Sequence, residues 1–183
     1  PTDAGYDREL ALFPEDVLGW LADTQPEQLD KVVRPDGSEA ERAQDQQRLL
    51  RRLRKVLDLD PATNGGVLHV LRNGFKERSA NLQMAQFRPA TGLNPVTLEQ
   101  YGRMRLRVMR QVHYSKKTPA KSLDLVLFVN GIPVATVELK TDFTQPLVNA
   151  ENQYRFDRAV ANEPLFGFGS GALAHFVVSN SEV

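Results

Sequence analysis

The sequence predicts an α/β (α+β) protein in which helices come first and a strand-rich core interrupted by helices follows. Two observations carry that reading. Leu49, Leu50, Leu53, Val56 and Leu57 recur at helical spacing behind the capping-box pair Ser38 and Glu41. Farther on, two Val- and Leu-rich runs, Leu123–Val129 and Pro133–Leu139, flank Asn130-Gly131, a strong short-range hairpin signal. The 183 residues suit one domain, 1–183, with a mainly helical part at 1–80 and a strand-rich part at 81–183. The chain opens at Pro1 without Met and stops just after the apolar run Ala174–Val178, so it reads as a fragment of a longer chain.

The elements follow in order. Pro14 suits the first turn of a helix, with Glu15 and Asp16 near its positive end and Val17, Leu18 and Leu21 as its apolar stripe. Thr24 and Glu27 have capping-box spacing for another short helix. Arg34-Pro-Asp-Gly-Ser38 is a break, and the long helix then runs to about Asp58. Its Arg48, Arg51, Arg52, Arg54 and Lys55 are expected to form a solvated face with stems over the core. Asn64-Gly-Gly66 is a turn before a short helix at Val67–Leu71. Alternation predicts a strand at Leu82–Phe87. A Pro/Gly/Asn-rich connection, Pro89–Pro95, leads to a short helix near Val96–Tyr101. Leu106–Tyr114 alternates again, through Leu106, Val108, Arg110, Val112 and Tyr114. After the basic loop Lys116–Lys121 come the two hairpin strands, a helix from Thr144 and Pro146 to about Val160, and a last strand at Ala174–Val178.

Composition narrows the function classes. Cys is absent, which excludes disulfides, thiolate metal sites and cysteine nucleophiles and fits a reducing cytoplasm. The 23 basic residues balance 23 acidic ones, so any contact with phosphates depends on local patches. No apolar run approaches the ~20 residues that span a bilayer, and no signal segment opens the chain, so a cytoplasmic protein without a membrane partner is expected.

The chemistry concentrates in the hairpin. Asp124 lies within an otherwise apolar strand, where a carboxylate is costly unless something pairs with it. Glu138 and Lys140 end the next strand, and period-two geometry puts them on one face with Leu139 on the other. Two acids and an amine at adjacent strand ends suit Mg²⁺, which takes one or two protein carboxylates and fills its shell with water and phosphate oxygens. Such an ion activates a water for in-line attack on a phosphate, and Lys140 would orient that water and stabilise the transition state. By spacing alone the pattern is weak, and the alternative reading makes Glu138 and Lys140 a solvated strand end and Asp124 a paired edge residue.

Parity sharpens the expectation. A two-residue turn at Asn130-Gly131 with no irregularity would pair Asp124 with Val137 and point Glu138 away from it. Bringing the acids together requires an odd-residue device. Either a three-residue loop Val129–Gly131 puts Asp124 opposite Thr136, with Glu138 diagonal to it, or a bulge shifts the register.

The stretch Ser122-Leu-Asp-Leu-Val-Leu-Phe-Val-Asn-Gly-Ile-Pro-Val-Ala-Thr-Val-Glu-Leu-Lys140 closely resembles the N-terminal nuclease domain of type I restriction enzyme R (motor and endonuclease) subunits. Gly5-Tyr-Asp-Arg-Glu-Leu-Ala-Leu-Phe-Pro14, Asp23-Thr-Gln-Pro26, Arg107-Val-Met-Arg-Gln-Val-His-Tyr114 and Gln153-Tyr-Arg155 resemble it too, so the likeness covers nearly the whole chain. That family belongs to the P-D-(D/E)-x-K nuclease superfamily. The resemblance implies a restriction-endonuclease-like core, a central mixed β-sheet flanked by helices, behind an N-terminal helical region. It assigns Asp124, Glu138 and Lys140 to a catalytic triad, with Asp124, Glu138 and the Leu139 backbone carbonyl as ligands of Mg²⁺, for which Mn²⁺ would substitute. Gln153 is assigned to a glutamine motif on a neighbouring helix, with Tyr154 and Arg155 beside it. Many relatives carry Tyr four residues after that Gln, whereas this chain has Asp157 there.

Further expectations complete the reading. Lys116, Lys117, Lys121, Arg155 and Arg158 flank the proposed site and suit phosphate contacts on double-stranded DNA, which position a duplex without reading it. The family implies methyltransferase and specificity subunits as partners. It also implies an ATP-driven motor in the missing part of the chain, since no G-x-x-x-x-G-K-S/T loop is present here. A further acidic residue near the metal is implied upstream of residue 1. A stand-alone repair or defence nuclease on the same fold and a non-catalytic DNA-binding or docking module are the alternatives. His69, His113 and His175 fit no metal-ligand spacing and are expected to pack ordinarily, although His113 lies beside Tyr114 and the basic loop.

Overall fold

A computed structural model of the chain describes residues 4–140 and 163–179. The helix expected from Thr144 to about Val160 lies outside the described residues.

Helix α1 (Pro14–Thr24) begins where expected, with Pro14 in the first turn beside Glu15 and Asp16. It buries Val17, Trp20 and Leu21. The short α2 (Pro26–Leu29) is started by Pro26, and the capping box expected from Thr24 and Glu27 is not formed. Thr24 still belongs to α1, so its hydroxyl bonds back to the Trp20 carbonyl, at 2.7 Å, rather than forward to a new helix.

Helix α3 (Glu39–Leu57) has the expected capping box. Ser38 Oγ accepts the Glu41 N–H, and Glu41 Oε2 accepts the Ser38 N–H at 2.9 Å. Its stripe of Leu49, Leu50, Leu53, Val56 and Leu57 is buried. The expected solvated basic face needs one correction, because Arg54 is buried. One turn from Leu50 and next to Leu53 in sequence, it reaches across the core edge. Its guanidinium donates to the Leu10 carbonyl, to the Ser170 carbonyl at 2.8 Å and to Asp58 at 2.6 Å. Helix α4 (Gly66–Asn73) adds Val67, Val70 and Leu71 to the same core.

Strands β1 (Phe75–Glu77) and β2 (Ala80–Leu82) form a small antiparallel ribbon, with Phe75 paired to Leu82. The strand expected at Leu82–Phe87 therefore survives only at its first residue. Leu82 and Met84 are fully buried, as alternation requires, but beyond Leu82 the segment pairs with no strand among the described residues. Side chains take its backbone groups instead. The Gln25 amide bonds both the N–H and the carbonyl of Gln83, Trp20 Nε1 donates to that carbonyl at 2.7 Å, and Asn130 donates to the Met84 carbonyl at 2.8 Å. Helix α5 (Pro95–Gly102) is capped by Asn94, whose Oδ1 accepts the Val96 N–H at 3.0 Å.

The main sheet has the order β3–β4–β5–β6, with β3 (Leu106–His113), β4 (Ser122–Val129) and β5 (Ile132–Leu139) antiparallel and β6 (Ala174–Val178) parallel to β5. Among the described residues the fold is thus mixed α/β, a four-stranded mixed sheet with helices and a separate two-stranded ribbon. Met109, Val112, Leu123, Val126 and Phe128 pack with Phe13, Leu165 and Phe166 in a second core, distinct from the helical one. The alternation of β3 changes phase at Gln111, which has φ 51°, so Met109 and Val112 are both buried while Leu106 and Val108 are exposed. The simple period expected through Leu106, Val108, Arg110, Val112 and Tyr114 is broken there.

The hairpin combines two devices. Asn130 (φ 46°) and Gly131 (φ 81°) form a two-residue turn that pairs Val129 with Ile132. A three-residue loop is therefore not the solution, and Asp124 is not opposite Thr136. Phe128 pairs with Pro133, yet Leu127 pairs with Ala135, which leaves Val134 as the extra residue of a bulge. Beyond it Val126 faces Thr136 and Leu125 faces Val137.

Candidate active site

The bulge sets the register next to the acids. Pairing ends at Leu125 and Val137, and one more step of that register would set Asp124 opposite Glu138. Were Val134 paired with Leu127 rather than extra, the partner of Asp124 would be Val137, and the two carboxylates would lie on opposite faces. Glu138 is 8% exposed, so its carboxylate is nearly withdrawn from water. Such burial is favourable only where donors or a cation balance the charge.

Asp124 is held at both oxygens. Its Oδ2 accepts the Leu139 N–H at 2.8 Å, and its Oδ1 accepts from Gln111 Nε2 at 2.9 Å. The first bond takes the place of a ladder bond where β4 and β5 stop pairing. An ionised carboxylate offers about four acceptor positions, so each oxygen keeps room for a further partner. The donor set, two hard carboxylates at the ends of adjacent strands, fits a divalent cation that completes its shell with water and phosphate oxygens. Among the described residues, no group of three or more His, Asp or Glu side chains is arranged to hold a metal. A cation here would thus rest on two carboxylates and oxygens from elsewhere.

Lys140 directly follows β5, two residues beyond Glu138, and is half-buried. Its N–H donates to the Val178 carbonyl at 2.8 Å, which ties the position to β6. Lys116, Lys117 and Lys121 are all exposed in the β3–β4 connection that leads into Asp124. Gln153, Tyr154, Arg155 and Arg158 lie outside the described residues. The histidines do not converge: His69 on α4 contacts Asn73, His113 ends β3 opposite Ser122, and His175 on β6 bonds Thr136 at 2.7 Å.

Gln111 was not singled out by sequence reasoning. Its left-handed backbone costs a side-chain-bearing residue about 1–2 kcal/mol, and it occurs inside a strand. The signal in the sequence is the three-residue spacing of Met109 and Val112, two apolar residues that strict alternation cannot bury together.

A family model described as type I restriction enzyme R protein N terminus matches residues 8–183. No curated protein and no solved structure matches the chain.

Proposed function

The chain belongs to the family of type I restriction enzyme R protein N termini, and from that premise we propose that it is a Mg²⁺-dependent DNA endonuclease domain of a restriction system, with Asp124, Glu138 and Lys140 as its catalytic residues. The observation that carries the proposal is the bulged register, whose next step beyond Leu125 and Val137 would set Asp124 opposite Glu138, two residues before Lys140. Asp124, Glu138 and the Leu139 carbonyl would hold the ion, and Mn²⁺ would substitute for it. When bound, the ion supplies charge neutralisation at the scissile phosphate and lowers the pKa of a water.

The protein's own groups do the rest. Asp124, fixed by donors from β3 and β5, presents a carboxylate of set orientation. Glu138 is withdrawn from solvent, where an ionised carboxylate would interact more strongly with a cation than in bulk water. The Lys140 ammonium would orient the attacking water and offset negative charge in the transition state. Exposed Lys116, Lys117 and Lys121 would bear on the phosphates of double-stranded DNA, giving affinity that falls with salt and ignores sequence. Target recognition would then rest with specificity and methyltransferase subunits, and ATP would be used by a motor elsewhere in the R subunit.

The deciding experiment is plasmid cleavage by the assembled restriction complex carrying Asp124→Ala, Glu138→Ala or Lys140→Ala. Cleavage should disappear in each, while ATP hydrolysis persists. Retained cutting in the Asp124 or Glu138 variant would overturn the assignment.

A further inference from the structure

We infer that Gln111 is a positioning residue for Asp124, an inference that rests on the nuclease reading above. Two donors grip the two oxygens of this carboxylate from opposite neighbours. Gln111 Nε2 on β3 holds Oδ1 at 2.9 Å, and the Leu139 N–H on β5 holds Oδ2 at 2.8 Å. The Gln111 amide is itself fixed at its other end, where Ser122 Oγ donates to Oε1 at 3.3 Å. A carboxylate only accepts, so the amide nitrogen must face Asp124 and the amide oxygen must face the hydroxyl.

The backbone supports the same role. Gln111 has φ 51° in mid-strand, yet the pairing is in one register on both sides of it, Arg110 with Leu125 and Val112 with Leu123. No residue is inserted, so the left-handed turn does nothing for register. It seats Val112 in the core and delivers the amide to Asp124. Strained backbone of this kind recurs where a group must be held in a set place. Partners that orient a metal-binding carboxylate typically change metal affinity about 10–100-fold when removed.

Gln111→Gly separates the two roles, because glycine accepts the backbone conformation and loses only the amide. Mn²⁺ binding to the full, nucleotide-free R subunit, read by electron paramagnetic resonance, should weaken about 10–100-fold with no fall in melting temperature. Gln111→Asn, which keeps an amide and tolerates this φ, should fall between Gln111→Gly and wild type. Wild-type Mn²⁺ affinity in Gln111→Gly would overturn the positioning role. Asp124→Asn tells that failure from a failure of the underlying reading. If Asp124→Asn loses the Mn²⁺ site and Gln111→Gly keeps it, only the role of Gln111 falls. If Asp124→Asn keeps it, the nuclease site and the inference fall together.

Discussion

The carboxylate of Asp124 accepts the backbone N–H of Leu139 at 2.8 Å, so a side chain of β4 closes the gap where the β4–β5 ladder ends. The proposed site and the local ladder thus share one group. The relationship exists because Val134 is extra: only with the bulge does Asp124 reach the end of β5 beside Glu138.

Deleting Val134 should remove the bulge yet leave the register beyond it unchanged. Ala135, Thr136 and Val137 would keep Leu127, Val126 and Leu125 as partners, because only the unpaired residue is lost. The deletion also removes the carbonyl that accepts the Leu173 N–H, so thermal unfolding should show a loss of about 2 kcal/mol with cleavage retained. Val134→Ala, which keeps the bulge and that carbonyl, should cost about 1 kcal/mol and still cut. A folded deletion variant that no longer cleaves would show that the bend at the bulge, and not the register alone, shapes the site.

The turn itself is intolerant for two separate reasons. Gly131 has φ 81°, and a Cβ there would collide with the Phe13 carbonyl and the Val17 side chain at the start of α1. Gly131→Ala should destabilise by about 3 kcal/mol, from left-handed strain together with steric overlap. Asn130→Gly keeps the backbone but removes the acceptor for the Arg105 N–H and the donor to the Met84 carbonyl. Two lost buried hydrogen bonds predict about 2 kcal/mol. Denaturant titration of each variant reads its loss, and a cost near zero for either would refute its stated cause.

Asp16 and Arg107 tie α1 to β3. Arg107 Nε and one terminal nitrogen reach the two oxygens of Asp16 at 2.6 and 2.9 Å, and its guanidinium lies 3.8 Å over the Phe13 ring. Asp16 is only 3% exposed, so Arg107→Leu leaves its charge with Arg105, 3.8 Å away, as the nearest cation. The expected cost is about 2 kcal/mol, below that of a fully buried pair because Arg107 is one-third exposed. A double-mutant cycle with Asp16→Asn should give a coupling energy of about 1 kcal/mol or more.

Acid should weaken the junction before α3. The Arg34 side chain and backbone N–H bond Asp45, with Arg48 beside them, and hold its carboxyl down at about 2. A depressed carboxylate stabilises the fold above its unfolded value, near 3.9, and that contribution is lost as pH falls through the folded value. Asp45→Asn should therefore melt lower than wild type at neutral pH, with the gap narrowing between about pH 4 and pH 2. A pH-independent gap would count against this linkage.

What the sequence by itself determined is mostly local. The Ser38–Glu41 capping box, the proline-started α1, the leucine stripe of α3 and the Asn130-Gly131 turn all depend on neighbours a few residues away, and each formed as its residues require. Parity even demanded an odd-residue device between Asp124 and Glu138. Only tertiary structure decided which device it is, because a bulge at Val134 depends on how β5 lies against β4 and on the Leu173 N–H that takes the bulge carbonyl. The segment after Leu82 had strand-like alternation but became irregular, since Trp20, Gln25 and Asn130 took its backbone groups from 46 to 63 residues away. Arg54 went inward for carbonyls at Leu10 and Ser170 that no helical periodicity could reveal. Gln111 met Asp124 through a left-handed turn inside a strand, a conformation its residue type disfavours and its surroundings impose. Local hydrogen-bonding rules fix elements, whereas partners distant in sequence fix how those elements are spent.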